Sequence, residues 1–403
     1  MKTDVVSPEK IITAETAVSD PDQFQTAEVF TIVGAHFTHD TYSAFLAPLL
    51  PLIQERLATN YALTGSLAIF SQMPSLLNPF IGYLADKISL RYFIILAPGI
   101  TATLFSSLGL APNYLVLALL LLAAGISIAA FHAPAPAMIA RVSGNRVGKG
   151  MSIFMAGGEL GRTLGPVVAV AGVSWFGLEG IWRLAFVGWA VSAILYYRLR
   201  NISARPQAVA QANLAAIWPD VRRVFGVIIW LVGARVFLQV SLTTYLPIFV
   251  KDALGLSLWL SAASLTILEA AGVVGALFTG TLSDRLGRNR MLLILLTASP
   301  ILYLMFLYGP AWTAVPLLIA LGLTAISPQP VMLALVQDSF TKHRALANGI
   351  YLAVSFLVRA VGIWVVGMLA DKIGLQNAYL WSGLLAFLSI PAVFFLPGKS
   401  GNL

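Results

Sequence analysis

Gly280-Thr-Leu-Ser-Asp284-Arg285-Leu-Gly287-Arg288-Asn-Arg290 closes one long apolar run and opens the next, and Gly82-Tyr-Leu-Ala-Asp86-Lys87-Ile-Ser89-Leu-Arg91 does the same earlier in the chain. The two stretches lie 198 residues apart, and Arg162 with Arg359, and Pro134/Pro136 with Pro328/Pro330, recur at nearly that interval. A short charged turn between apolar runs is what two antiparallel helices need when the helices sit in hydrocarbon and the turn stays in water. Repetition at half the chain length makes the protein two copies of one helical unit.

Composition agrees. Of 403 residues 58% are hydrophobic and 10% charged, with mean hydropathy +0.85, which is more apolar surface than one water-soluble core can bury. The formal charge of +8 sits in short loops rather than on a basic domain, which excludes a nucleic-acid partner and leaves the lipid bilayer as surroundings. Having no cysteine, the chain has no disulfide, thiolate metal site or thiol nucleophile.

A helix needs about 20 apolar residues to cross the hydrocarbon core. Twelve runs meet this, near 26–54, 61–86, 92–111, 113–140, 149–174, 179–200, 222–250, 258–284, 291–309, 312–338, 344–372 and 377–397. The expected organisation is a polar tail (1–25), a six-helix bundle (26–200), a linker (201–221), a second six-helix bundle (222–397) and a short tail (398–403). Residues 1–25 lack the layout of a signal peptide, so Val29–Ile53 is read as an uncleaved insertion signal. Fifteen lysines and arginines fall in loops on the side of the amino terminus, against Arg56, Arg183, Lys251 and Lys372 opposite. The positive-inside rule then puts both termini in the cytoplasm and the protein in the inner (plasma) membrane.

On these residues the chain resembles the major facilitator superfamily of transporters. The loop from Gly280 to Arg290 is similar to that family's G-x-x-x-D-R-x-G-R-R/K signature. A narrower resemblance, to fosmidomycin-resistance-type drug efflux proteins, rests on His36-Phe-Thr-His39-Asp40, Phe131-His132, Gly157-Gly158 and Leu164-Gly165-Pro166. Gly161-x-x-x-Gly165-Pro166 also resembles the fifth-helix motif of proton-coupled antiporters. The resemblance implies two pseudo-symmetric bundles rocking about a central cavity, as a monomer. It also implies gating loops in which Asp86 and Asp284, with Arg91, Arg285 and Arg288, hold neighbouring helix ends together. Gly367-x-x-x-Asp371-Lys372-x-Gly374 reads as a further copy of the loop, or as chance.

Ionisable groups deep in a span are costly and default to function. Asp40, Glu159 and Glu269 are the acids near mid-span, and Arg162, Arg235 and Arg359 the bases, on the first, fifth, seventh, eighth and eleventh spans. In the resembled fold these spans contribute to the cavity. His36, His39 and Asp40 share one helical face, as do Glu159 and Arg162, a pair that could equally be a structural ion bridge. Histidine beside a carboxylate can exchange protons near neutral pH, which makes Asp40 the first choice as carrier and leaves Glu159 and Glu269 as alternatives. His132 is either a packing residue or part of the site. Guanidinium forks match carboxylate, phosphate or phosphonate oxygens, so the arginines favour an anionic or zwitterionic small-molecule substrate, unless the acids consume them.

The expected function is a secondary transporter exporting a small anionic or amphipathic compound in exchange for protons; the alternative is uptake or exchange of an organic anion. No cofactor or metal is expected, the proton gradient being the driving force. An intramembrane enzyme or receptor is disfavoured, since His-Glu-x-x-His, Gly-x-Ser-x-Gly and an appended soluble domain are all missing.

Overall fold

The computed structural model of the chain describes residues 23–77, 80–81, 84, 88–203, 214–340 and 344–396, and every regular element among them is helical. Asp86, linker residues 204–213 and nearly all of both tails lie outside the described residues. Among the described residues eight stretches are long and apolar enough to cross a membrane, and one of these, Val147–Leu199, is broken at Gly177, where φ is 71°. Further helical runs over 26–57, 61–77 and 375–393 stand where the sequence places the first, second and twelfth spans. The protein is therefore an all-α membrane protein, consistent with twelve spans.

Local chemistry explains the boundaries. Asn60, Asn113 and Ser257 start helices by accepting the amide hydrogens of Leu63, Val116 and Leu260. Gly287 (φ 92°) and Gly374 (φ 84°) turn the corners after the eighth and eleventh spans, a backbone that side chains resist. Gly374 thus ends the third Gly-x-x-x-Asp stretch in the same kind of turn as the second. Prolines shape the interiors because they cannot donate to the preceding turn. Pro247 sits between two π-helical turns, Ser241–Tyr245 and Phe249–Ala253. The Pro-x-Pro pairs act symmetrically: the fourth span breaks before Ala135, and the tenth widens at Gly322–Ile326 before Pro328.

The first and fifth spans pack closest. A Cβ on Gly157, Gly158, Gly161 or Gly165 would overlap Val33, the His36 ring, the Phe37 carbonyl or the Thr41 carbonyl. Lipid gives helices no hydrophobic reason to associate, so backbone approach over small residues supplies the contact energy.

Apolar packing differs at the two ends. Away from the termini one cluster joins both halves, with Leu49, Leu50 and Ile53 against Tyr245, Leu246 and Phe249. Toward the termini the clusters are separate, the first half keeping one around Ile32, Phe131 and Met138 and a small one at Ile81, Leu90 and Ala129, the second half one around Leu292, Val336 and Tyr351. The halves meet at one end and part at the other.

Polar bolts reinforce the closed end. The Asp371 carboxylate accepts the amide hydrogens of Tyr61 (2.7 Å) and Ala62 (3.0 Å), capping the second span from the eleventh. Lys251 pairs with Glu55 at 2.8 Å, which holds that carboxyl below its ordinary range. Tyr245 donates to the Ile363 carbonyl at 2.8 Å, its ring filling space kept free by Gly65 and Gly367.

Gly161→Val should lower Tm by several degrees, because the first helix must move away at a cost of about 1–3 kcal/mol. Gly233→Ala, where a Cβ meets nothing within 4 Å, should leave Tm unchanged or slightly raised. Thermal unfolding in detergent, followed by circular dichroism, compares the two.

Candidate functional site

Between the halves, next to the closed end, lies a cavity of about 360 Å³. Both halves line it: Ser43 and Leu50 from the first span, Gln72 from the second, Arg162 and Pro166 from the fifth, Gln239 and Thr243 from the seventh, Glu269 from the eighth, Gln329 from the tenth and Arg359 from the eleventh.

Three of the intramembrane charges named from sequence face this space. Arg162 is paired to Glu159, one helical turn earlier on its own span. Arg359 donates to Thr243 Oγ1 at 3.1 Å, while its buried Nε finds no partner among the described residues. Glu269 feels both Arg162 and Arg359 through space, yet no ion pair within 4.0 Å joins it to either among the described residues. The chamber thus offers one satisfied pair, together with an acid and a base that have capacity left over.

The other named residues lie elsewhere. Arg235, 6% exposed, donates to the Ala325 carbonyl at 2.9 Å and lines a small separate cavity inside the second half with Ser299 and Ser389. Its span presents it to the tenth helix rather than to the chamber. His36, His39, Asp40 and His132 form one cluster within the first half, between the first and fourth spans. Asp40 lies 2.9 Å from His39 Nδ1, 3.3 Å from His36 Nε2 and 3.4 Å from His132 Nε2. His36 stacks on Phe154 and His39 on Phe131, so aromatic rings wall the cluster. His132 is its open member, with a side chain 36% exposed, and Ile128, one turn away, lines the chamber.

After the eighth span Arg288 bonds Asp284 at 2.5 Å, Asp338 at 3.2 Å and the Ser283 hydroxyl, tying the eighth–ninth turn to the end of the tenth span. Arg285 is exposed, and Arg91 lies over the Tyr92 ring at 5.2 Å.

A sequence profile for the Major Facilitator Superfamily matches residues 32–340. The chain belongs to this superfamily. It is 24% identical over 382 residues to the fosmidomycin resistance protein of Escherichia coli (strain K12), covering 91% of this chain and 92% of that one. Its fold is shared with a solved D-xylose-proton symporter (TM-score 0.73, 17% identity, 94% and 99% coverage). It is shared too with an inward-facing, unoccupied bacterial homolog of the human lysosomal transporter Spinster (TM-score 0.69, 18% identity, 94% and 95% coverage). The protein is thus a multi-pass membrane transporter of small molecules, not an enzyme.

Sequence reasoning passed over the uncharged part of this transporter's chamber: Gln72, Gln239, Gln329 and Thr243. Three glutamines inside otherwise apolar runs were a usable signal, since an amide in hydrocarbon also needs a partner.

The natural absence of cysteine permits a direct test of the chamber. Ser71→Cys and Gln329→Cys should react with a water-soluble maleimide, whereas Ser241→Cys, at a fully buried position, should not. Mass spectrometry of the labelled protein reads the outcome.

Proposed function

We propose that the protein exports a small zwitterionic compound, or an anion bearing a cationic group, in exchange for protons, by alternating access at the chamber between Arg162, Glu269 and Arg359. The observation that carries this reading is that Glu269 and Arg359 face the same space without an ion pair between them. A ligand's acidic group fits the Arg359 fork and its ammonium fits Glu269, each supplying the counter-charge that the low-dielectric site lacks.

The coupling follows from competition. A proton on Glu269 removes the charge that holds the ligand's cation, so proton and ligand exclude each other, and that exclusion is the thermodynamic basis of exchange. Glu269 suits this role better than Asp40, which is enclosed by three imidazoles away from the chamber wall. Both termini and the basic loops belong on the cytoplasmic side under this reading, and the parted end then opens to the cytoplasm. The resistance recorded in the name of the Escherichia coli relative accords with outward movement.

A purely anionic ligand would give the opposite linkage. Protonating Glu269 would then remove a negative charge that repels the ligand and strengthen binding, so proton and ligand would travel together, as the name of the D-xylose-proton symporter describes for that protein.

The two readings separate by pH. A ligand found by thermal-shift screening of aminophosphonates, amino acids and simple carboxylates should bind more weakly as pH falls through the titration of Glu269, and Glu269→Gln should abolish that dependence and weaken binding roughly tenfold or more. In proteoliposomes an opposing proton gradient should drive the ligand uphill. Binding that strengthens on acidification, with substrate and protons moving together, overturns the export reading.

A further inference from the structure

The cluster between the first and fourth spans has a proton count that does not close. His36 Nδ1 lies 2.8 Å from the Phe154 carbonyl, and His132 Nδ1 lies 3.0 Å from the Ile128 carbonyl. A carbonyl oxygen only accepts, so both imidazoles carry hydrogen on Nδ1. In the neutral rings each Nε2 is then a bare lone pair. Those two nitrogens face each other at 3.3 Å, and the Asp40 carboxylate spans the pair, with Oδ2 3.3 Å from His36 Nε2 and Oδ1 3.4 Å from His132 Nε2. Electron-pair donors gathered this closely, with His36 and Asp40 buried and His132 partly so, repel one another unless a cation stands between them.

The distances choose between a proton and a metal ion. Charge-assisted hydrogen bonds between imidazolium and carboxylate contract to about 2.7–2.9 Å. The edges here are longer. A tetrahedral divalent ion held at about 2.0–2.1 Å from each donor sets donor–donor edges of about 3.3–3.4 Å.

Second contacts are those of a metal centre as well. Ligating histidines characteristically give their other N–H to a carbonyl or carboxylate, and ligating carboxylates are themselves hydrogen-bonded. Both carbonyl bonds are present, and His39 Nδ1 holds Asp40 Oδ1 at 2.9 Å.

We infer that His36 Nε2, His132 Nε2 and the Asp40 carboxylate form a site for a divalent transition-metal ion of the Zn²⁺ and Co²⁺ class, open at its fourth position on the His132 side. The sequence reading expected no metal. Nothing local in the sequence suggests one, because His132 joins the pair on the first span only across a helix–helix contact. Asp40 neutralises half the ion's charge, and two imidazoles with one carboxylate suit borderline ions better than Mg²⁺ or Ca²⁺, which take oxygen ligands. Access runs past His132. The ion would tie the first span to the fourth within one half of the molecule, independently of the chamber chemistry at Glu269.

The test is Co²⁺ and Zn²⁺ titration of the full chain, purified without a histidine tag and stripped with chelator. The background is low, since the chain has four histidines and no cysteine, and the remaining one, His343, lies outside the cluster in sequence. The expected result is one Co²⁺ per chain with the visible d–d absorption of a low-coordinate site, displaced by Zn²⁺. Asp40→Asn and His132→Gln should each weaken binding at least about a hundredfold, and His39→Gln, which only orients Asp40, about tenfold. Glu269→Gln should bind Co²⁺ like the parent, so that failure of the exchange reading and failure of this one are distinguishable. Absence of stoichiometric binding in the parent, or binding unchanged in folded His132→Gln protein, overturns the assignment. X-ray absorption of the Zn²⁺ form decides the matter without any variant: two imidazoles in the first shell support it, and a shell without imidazole refutes it.

Discussion

Close approach of the first and fifth helices is the contact on which the functional geometry depends. Four glycines let the fifth helix lie against the backbone of the first from Val33 to Ala44. That approach seats the His36 ring over Gly158 and brings the Phe154 carbonyl to its Nδ1. It also sets Arg162 at the chamber wall while Glu159 holds it on its own helix. One run of small side chains therefore positions both the histidine cluster and one side of the chamber, and a single methyl group in the seam would disturb the two together.

Against this fixed seam the two halves are joined unevenly. At one end their apolar cores fuse, and the carboxylate of Asp371, the ammonium of Lys251 and the phenol of Tyr245, 3.3 Å from the Tyr61 carbonyl, reach across. At the other end each half keeps its own core. The polar bolts at the joined end are a few hydrogen bonds beside water, each modest in strength, so the shared apolar core carries most of the attachment there.

Much of this was legible in the chain. Hydropathy and the repeated Gly-x-x-x-Asp turn dictate the fold, since backbone groups in oil leave the chain little choice. Charges buried in spans marked the neighbourhood of the site for the same reason. Sequence could not supply the rotational phase of each helix against its neighbours. Arg235 and Arg359 look alike in the chain, yet one turns toward the tenth helix and the other toward the chamber. Asp371, whose motif was ambiguous, caps a helix from the opposite half, a relation between residues about 310 positions apart that no local pattern encodes.

That cap has a kinetic meaning. The first turn of the second helix owes two of its amide partners to a carboxylate that belongs to the other half and must leave whenever that end parts. During the time that end is open, the amides of Tyr61 and Ala62 turn to water, while amides deeper in the same helix keep their own partners. Deuterium uptake at those two positions therefore clocks how often the molecule visits its other state, with no label, ligand or substitution required.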